Sequence, residues 1–184
     1  MAGSAILHRP PSVREYLEME EASTARHEYV AGVIHARARA TRRQNLIAGN
    51  VFARLWIAAR RSSCRIFQND MKLRVADDVL YYPDIIVAYG PEGDDPLIED
   101  APCLVVEVAS PSTEQIDRRE KMIAYRQIPT MRAYLIVAQD SRRVEHHWRT
   151  DSGEWFAGEA TDDNVIPIPC PETKLSLDDI YEGL

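Results

Sequence analysis

The chain has 184 residues, 45% hydrophobic and 28% charged, enough for one domain, spanning 1–184, with a buried core. No apolar run approaches the roughly 20 residues needed to span a bilayer, and the opening MAGSAILHRP lacks a signal-peptide core, so the expected location is the cytoplasm. The net charge of −7, from 22 Lys+Arg against 29 Asp+Glu, argues against a protein built for dense, non-specific phosphate contact.

Taken in chain order, Ser12 with Glu15 three residues on forms a capping box and opens a short helix through Glu21. HEYVAGVIHAR then reads as two strands about an Ala31-Gly32 turn. Arg37, Arg39, Arg42 and Arg43 crowd the next seven residues, as a local phosphate-binding cluster or simply a solvated loop and helix start. From Arg42 to Arg61, Leu46, Ile47, Val51, Leu55 and Ala58 recur at helical spacing, which predicts a long amphipathic helix.

The middle of the chain turns to strands. Met71, Leu73 and Val75 alternate with Asp70, Lys72 and Arg74, and Asp77-Asp78 marks a turn. PDIIVAY (83–89) is a strand starting at a proline, where the missing N–H costs least. CLVVEVA (103–109) is the most apolar strand and is expected at the centre of the sheet. Ser110-Pro111-Ser112-Thr113 ends it and can cap a helix from about Glu114 to Gln127, and AYLIVA (133–138) follows as a buried strand. RVEHHW and EWFAGEA form a peripheral hairpin, and the last ten residues a short helix. A strand–helix–strand step implies a crossover between parallel strands, so the class is α/β with a mixed central sheet flanked by helices.

Glu107 breaks the local pattern. It stands inside a strand expected to be buried on both faces, where an ionised carboxylate is costly unless paired or metal-bound. A structural ion pair or a water-facing edge would explain it equally well. Asp84, at the start of the preceding strand, adds a second carboxylate that adjacent strands can bring close to the first. Hard divalent cations are typically held by one or two carboxylates plus water and phosphate. A cation is expected nearby to orient water or offset developing charge. Ala109, not lysine, lies two residues after Glu107, and the nearest lysine is Lys121, preceded by Arg118 and Arg119 on the following helix. Lys121 also stands four residues after Asp117, a spacing that makes an ordinary helix-surface pair.

Other features point less far. Cys64, Cys103 and Cys170 are odd in number and form no CxxC, which supports neither a zinc knuckle nor a disulfide framework and suggests a reducing compartment. Cys103 reads as a small core residue. His146 and His147 are strand neighbours facing opposite ways and ill placed to share an ion. Trp56, Trp148 and Trp155 read as packing residues, and there is no P-loop, dinucleotide-binding glycine motif or GxSxG.

RHEYVAGVI, FQNDMKLRV, YYPDIIV, LVVEVASPST, DRREKMIAYRQIPTMRAYLIV and LDDIY together resemble the restriction-endonuclease-like PD-(D/E)xK superfamily, and within it the Uma-two family. The succession EVASPST then DRREK is the most specific part. The resemblance covers nearly the whole chain and implies that Asp84 and Glu107 are metal ligands, that the catalytic lysine has moved to Lys121, and that Glu28 supports them. Asp70 lies in a stretch typical of the family, or is an ordinary strand or turn residue. Where relatives often carry a histidine at the start of the long helix, this chain has Arg43-Gln44-Asn45; Gln44 can bond water or phosphate but cannot take a proton. Arg43, Gln44 and Arg118 are the expected substrate contacts. The expected activity is hydrolysis of DNA phosphodiester bonds with Mg²⁺ or Mn²⁺, in a chain that could pair as a homodimer to cut both strands. The competing expectations are a catalytically silent nuclease-fold module binding nucleic acid or protein, and a metal-dependent hydrolase of small phosphoesters.

Overall fold

The computed structural model describes residues 9–109, 117–161 and 164–184, with only the backbone of Asp117. Helix α1 (Val13–Ala22) starts at Ser12, whose hydroxyl accepts from the Glu15 N–H while Glu15 reaches back to the Ser12 N–H, as the capping box predicts. Strands β1 (His27–Val30) and β2 (Val33–Ala36) flank a turn in which Ala31 (φ 48°) and Gly32 (φ 89°) both adopt the left-handed conformation of a tight hairpin. A side chain at Gly32 would also meet Pro10, 2.6 Å from the Cβ position.

Helix α2 (Arg42–Ala59) buries Ile47, Ala48, Val51, Leu55 and Ala59. Its stripe is rotated slightly from the expected one: Leu46 is half exposed, and Ala48 and Ala59 take inner places beside Val51 and Leu55. Trp56, expected to pack, is 49% exposed and stacks on Phe52.

Strands β3 (Arg65–Gln68), β4 (Lys72–Ala76), β5 (Val79–Tyr81), β6 (Ile85–Ala88), β7 (Ile98–Glu99), β8 (Pro102–Ala109), β9 (Ala133–Ala138), β10 (Arg143–Arg149) and β11 (Trp155–Thr161) complete two sheets. One is ordered β2-β1-β5-β4-β7 and the other β11-β10-β9-β8-β6-β3. In the larger sheet β8 and β9 run parallel while β6, β10 and β11 pair antiparallel with their neighbours, so the sheet is mixed, as expected. The crossover from β8 to β9 ends in a π-helical turn, Asp117–Lys121, continued by helix α3 (Met122–Arg126). The cap at Ser110–Thr113 and the helix start near Glu114 lie outside the described residues. A final hairpin, β12 (Val165–Pro169) with β13 (Glu172–Ser176), leads into helix α4 (Leu177–Ile180).

Side-chain alternation along β8 divides the core. Leu104, Val106 and Val108 face α2 and the final hairpin, whereas Val105 and Ala109 face the smaller sheet through Leu73 and Tyr81. Glu107 has the parity of Val105 and Ala109, so it belongs to the layer between the two sheets. Cys103 departs from alternation. A register irregularity opposite Val87 and Ala88 turns it onto the α2 side together with Leu104. There it is bonded to Cys170, 67 residues further on, which corrects the expectation of three unpaired thiols. That pairing depends on the final hairpin folding back over β8, a contact without local signature. Among the described residues, no helix is long and apolar enough to cross a membrane.

His146 and His147 face opposite ways, as expected. His146 stacks on Trp148, while His147 is buried, with Nδ1 2.9 Å from Arg126 Nη2. Burial, then the charges of Arg126 and His146, lower the His147 pKa to about 4 from an ordinary 6.5. The unfolded chain therefore takes up this proton at higher pH than the folded one, and the contribution to stability is full above about pH 6.5 and is lost as pH falls towards 4. His147→Gln should flatten this part of the acid limb, read as a smaller pH dependence of the urea midpoint than in wild type. An unchanged pH dependence would show that His147 does not contribute.

Candidate active site

The site lies between the two sheets, where β6 and β8 run side by side. Ile85 pairs with Val106 and Ile86 with Val105, and continuing that antiparallel register by one residue sets Asp84 opposite Glu107 on the same face. Asp84 sits in the bend that enters β6 and is 3% exposed; Glu107 is 4% exposed. Pro83 suits that bend because it leaves no N–H to satisfy.

Each carboxylate has assigned partners. Asp84 Oδ1 accepts from Arg37 Nη2 at 2.6 Å, and Oδ2 accepts from the Val108 N–H at 2.8 Å and from Gln44 Nε2 at 3.4 Å. Glu107 Oε1 accepts from Lys121 Nζ at 3.0 Å and from the Tyr125 hydroxyl at 2.9 Å. Burial, reinforced by Glu107, pushes the Tyr125 pKa well up, so the phenol stays protonated and donates. Glu28, on β1, reaches the same ammonium, with Oε1 3.2 Å from Lys121 Nζ, and accepts the Tyr82 N–H at 3.0 Å. Lys121 therefore bridges a carboxylate from each sheet, and its ammonium lies 5.2 Å from the centre of the Tyr81 ring.

The structure thus joins Asp84 to Gln44 and Arg37, and on the neighbouring strand joins Glu107 to Lys121 and Glu28. Arg43 and Arg118 point elsewhere: the Arg43 Nε–H bonds the Gln139 carbonyl, and Arg118 pairs with Glu145 on β10 at 2.6 Å. Asp70 bonds Arg26, outside both groups. Sequence reasoning noted Arg37 only as one of four clustered arginines, although it makes the shortest contact to Asp84, and it missed Tyr125. The i, i+4 signal that could have exposed Tyr125 is its spacing from Lys121.

Two buried carboxylates on adjacent strands form a hard oxygen donor set, and their chemistry fits Mg²⁺ or Mn²⁺. Glu28, Asp84 and Glu107 do not form a set with all ligand oxygens within 4.8 Å of one another; Cys64, Cys103 and Cys170 do so with their sulfurs.

Residues 13–178 match the family model Uma2, described as "Putative restriction endonuclease". The chain belongs to the Uma2 family. Two proteins of Synechocystis sp. (strain ATCC 27184 / PCC 6803 / Kazusa) are similar to this Uma2 chain. The uncharacterized protein slr1290 is 29% identical over 175 residues, covering 94% of this chain and 92% of its own length. The uncharacterized protein sll1609 is 32% identical over 155 residues, covering 82% and 88%. A crystal structure of "a putative nuclease belonging to DUF820" from Anabaena variabilis ATCC 29413 superposes with a TM-score of 0.76 at 18% identity, over 94% of this chain and 98% of that one. The Uma2 chain therefore has a nuclease-type α/β fold.

Lys121→Met in this Uma2 chain leaves Glu28 and Glu107 in the interior without their shared cation. Breaking a buried pair in this way typically costs about 3–5 kcal/mol, so the denaturant midpoint should fall accordingly at neutral pH. The deficit should shrink in Lys121→Met/Glu107→Gln, which removes one of the two stranded charges. A surface-like loss below about 1 kcal/mol would contradict the bridging role.

Proposed function

We propose that this Uma2 protein is an endonuclease that hydrolyses DNA phosphodiester bonds with Mg²⁺ or Mn²⁺, at the cluster of Asp84, Glu107, Lys121 and Glu28. The observation that carries the reading is the facing pair of buried carboxylates with an ammonium 3.0 Å from one of them. Structural charges are rarely buried at this density, and when they are they need a partner such as the Lys121 ammonium.

In this reading Asp84 and Glu107 hold the cation, which when bound would lower the pKa of a water and offset charge on the phosphoryl group. Tyr125 fixes the Glu107 carboxylate by donating to Oε1, and the Val108 N–H fixes that of Asp84. Glu28 holds the Lys121 ammonium from the far side, so that Nζ can orient a nucleophilic water or donate to a phosphoryl oxygen. Gln44, beside Asp84, can donate to phosphate through Nε2 but supplies no general base. Arg43 and Arg118 would meet substrate only after leaving Gln139 and Glu145. A second copy would be needed to cut both strands in one encounter.

One observation favours a second reading, a silent nuclease-fold module. Arg37 already neutralises Asp84 at 2.6 Å, which is how a carboxylate site without metal would be stabilised.

Calorimetric titration with Mn²⁺, paired with nicking of supercoiled plasmid DNA, separates the two. The endonuclease reading expects metal-dependent nicking that Asp84→Ala and Glu107→Ala each reduce by about 10³-fold or more, and Lys121→Ala by about 10²–10³-fold. Lack of cleavage of any DNA, with or without metal binding, would favour the silent module. Absence of metal binding, or an Asp84→Ala variant as active as wild type, would overturn the site.

A further inference from the structure

All three cysteines of the chain converge on one point, although 39 and 67 residues separate them in sequence. Cys64 enters β3 from α2, Cys103 lies in β8 at the register irregularity, and Cys170 sits in the turn of the final hairpin. The three sulfurs lie within 4.8 Å of one another, and Cys64 Sγ is 3.6 Å from Cys170 Sγ. Cys103 is buried, while Cys64 and Cys170 are half-buried, so water reaches the rim of the cluster. Four residues of β8, about 13 Å at strand rise, separate Cys103 from Glu107, and the two face opposite sides of the sheet.

From this convergence we propose a second, soft-metal site: with the Cys103–Cys170 bond reduced, the thiolates of Cys64, Cys103 and Cys170 bind one divalent ion of the zinc and cadmium class.

The spacing suits such an ion. With metal–sulfur bonds near 2.3 Å, tetrahedral ligand sulfurs stand about 3.8 Å apart, a separation the Cys64–Cys170 pair already has. Opening the Cys103–Cys170 bond lets the remaining sulfurs relax by an ångström or two to match. Three thiolates leave the fourth position to water at the half-exposed rim. A divalent ion brings the cluster to a single negative charge, tolerable at that rim. Thiolates select soft ions, whereas Asp84 and Glu107 select hard ones, so the two sites do not compete for the same cation.

The disulfide and the bound metal exclude each other. A dithiol reductant delivers two electrons and two protons to the Cys103–Cys170 bond and becomes a disulfide itself. The three thiols then release three protons as the metal binds. In the oxidised chain only Cys64 remains as a thiol, and one thiolate holds no such ion tightly. Metal binding would tie together the end of α2, the start of β8 and the final hairpin without a covalent bond.

The test titrates Cd²⁺ into the full chain, reduced with a phosphine and separately with its disulfide intact, reading the ultraviolet thiolate-to-metal band and the thermal midpoint. Reduced wild type should bind one equivalent and melt higher with metal than without; the oxidised chain should show no band. Cys64→Ser, at a half-buried position, should keep its disulfide when oxidised and lose about 100-fold or more in Cd²⁺ affinity when reduced. Cys170→Ser, which cannot form the disulfide, should lose Cd²⁺ affinity to a similar degree, and Asp84→Ala should bind as wild type does. No band in the reduced chain, equal binding by the oxidised chain, or undiminished binding by Cys64→Ser would each overturn the proposal. Circular dichroism on each variant without metal shows whether a loss comes from the ligand or from the fold.

Discussion

A single buried ammonium ties the architecture to its site. Lys121 Nζ lies 3.0 Å from Glu107 on the larger sheet and 3.2 Å from Glu28 on the smaller one, so the two sheets meet across a charge rather than a purely apolar seam. Two carboxylates with one cation between them leave a net negative site, and this sets what the neighbouring groups must do. Tyr125 donates to Glu107, the Tyr82 N–H donates to Glu28, and the aromatic face of Tyr81 borders the ammonium. Desolvation costs of this size are repaid only where nearly every lone pair has a partner. The shape of the crossover follows from the same need. Lys121 ends a π-helical turn, whose altered pitch changes which way a helical side chain points and sends this one inward, towards the sheets.

Residues whose character contradicts their surroundings were legible in the sequence, whereas residues whose meaning depends on a distant partner were not. Glu107 stood out because a carboxylate interrupts LVVEVA, and Asp84 because it opens the neighbouring strand. Lys121 was within reach of both by chain order alone. Glu28 carries no such signal: in HEYV it alternates with apolar neighbours like any strand residue, and only family resemblance singled it out. Arg37 stands 47 residues from Asp84, in a loop whose path no periodicity encodes. The cysteines failed for the same reason, since their meeting requires the final hairpin to cross over β8.

The elements divide in the same way. The capping box, the Ala31-Gly32 hairpin, the long helix and the buried strands β8 and β9 are strong local signals, and the structure contains them all. Short strands were invisible: β5 has three residues, and β12 contains two prolines that argue against a strand. Both prolines are tolerated because β12 pairs on one side only, in a two-stranded ribbon. Without β5 and β7 in the reading, the smaller sheet shrinks to a hairpin and one isolated strand. The layer that buries Glu107 could not have been foreseen.

Arg37 poses the sharpest question about how such a site is built. Its guanidinium makes the shortest contact to Asp84 and also bonds the Asn69 carbonyl, so it is held on two sides. Planar, permanently charged and suited to both carboxylate and phosphate, it compensates Asp84 here, and in the proposed endonuclease reading it is the group that would turn to an anionic substrate. A lysine could not do both with the same geometry. The charge that shields Asp84 thus comes from a loop, whereas the backbone that fixes the carboxylate belongs to the sheet.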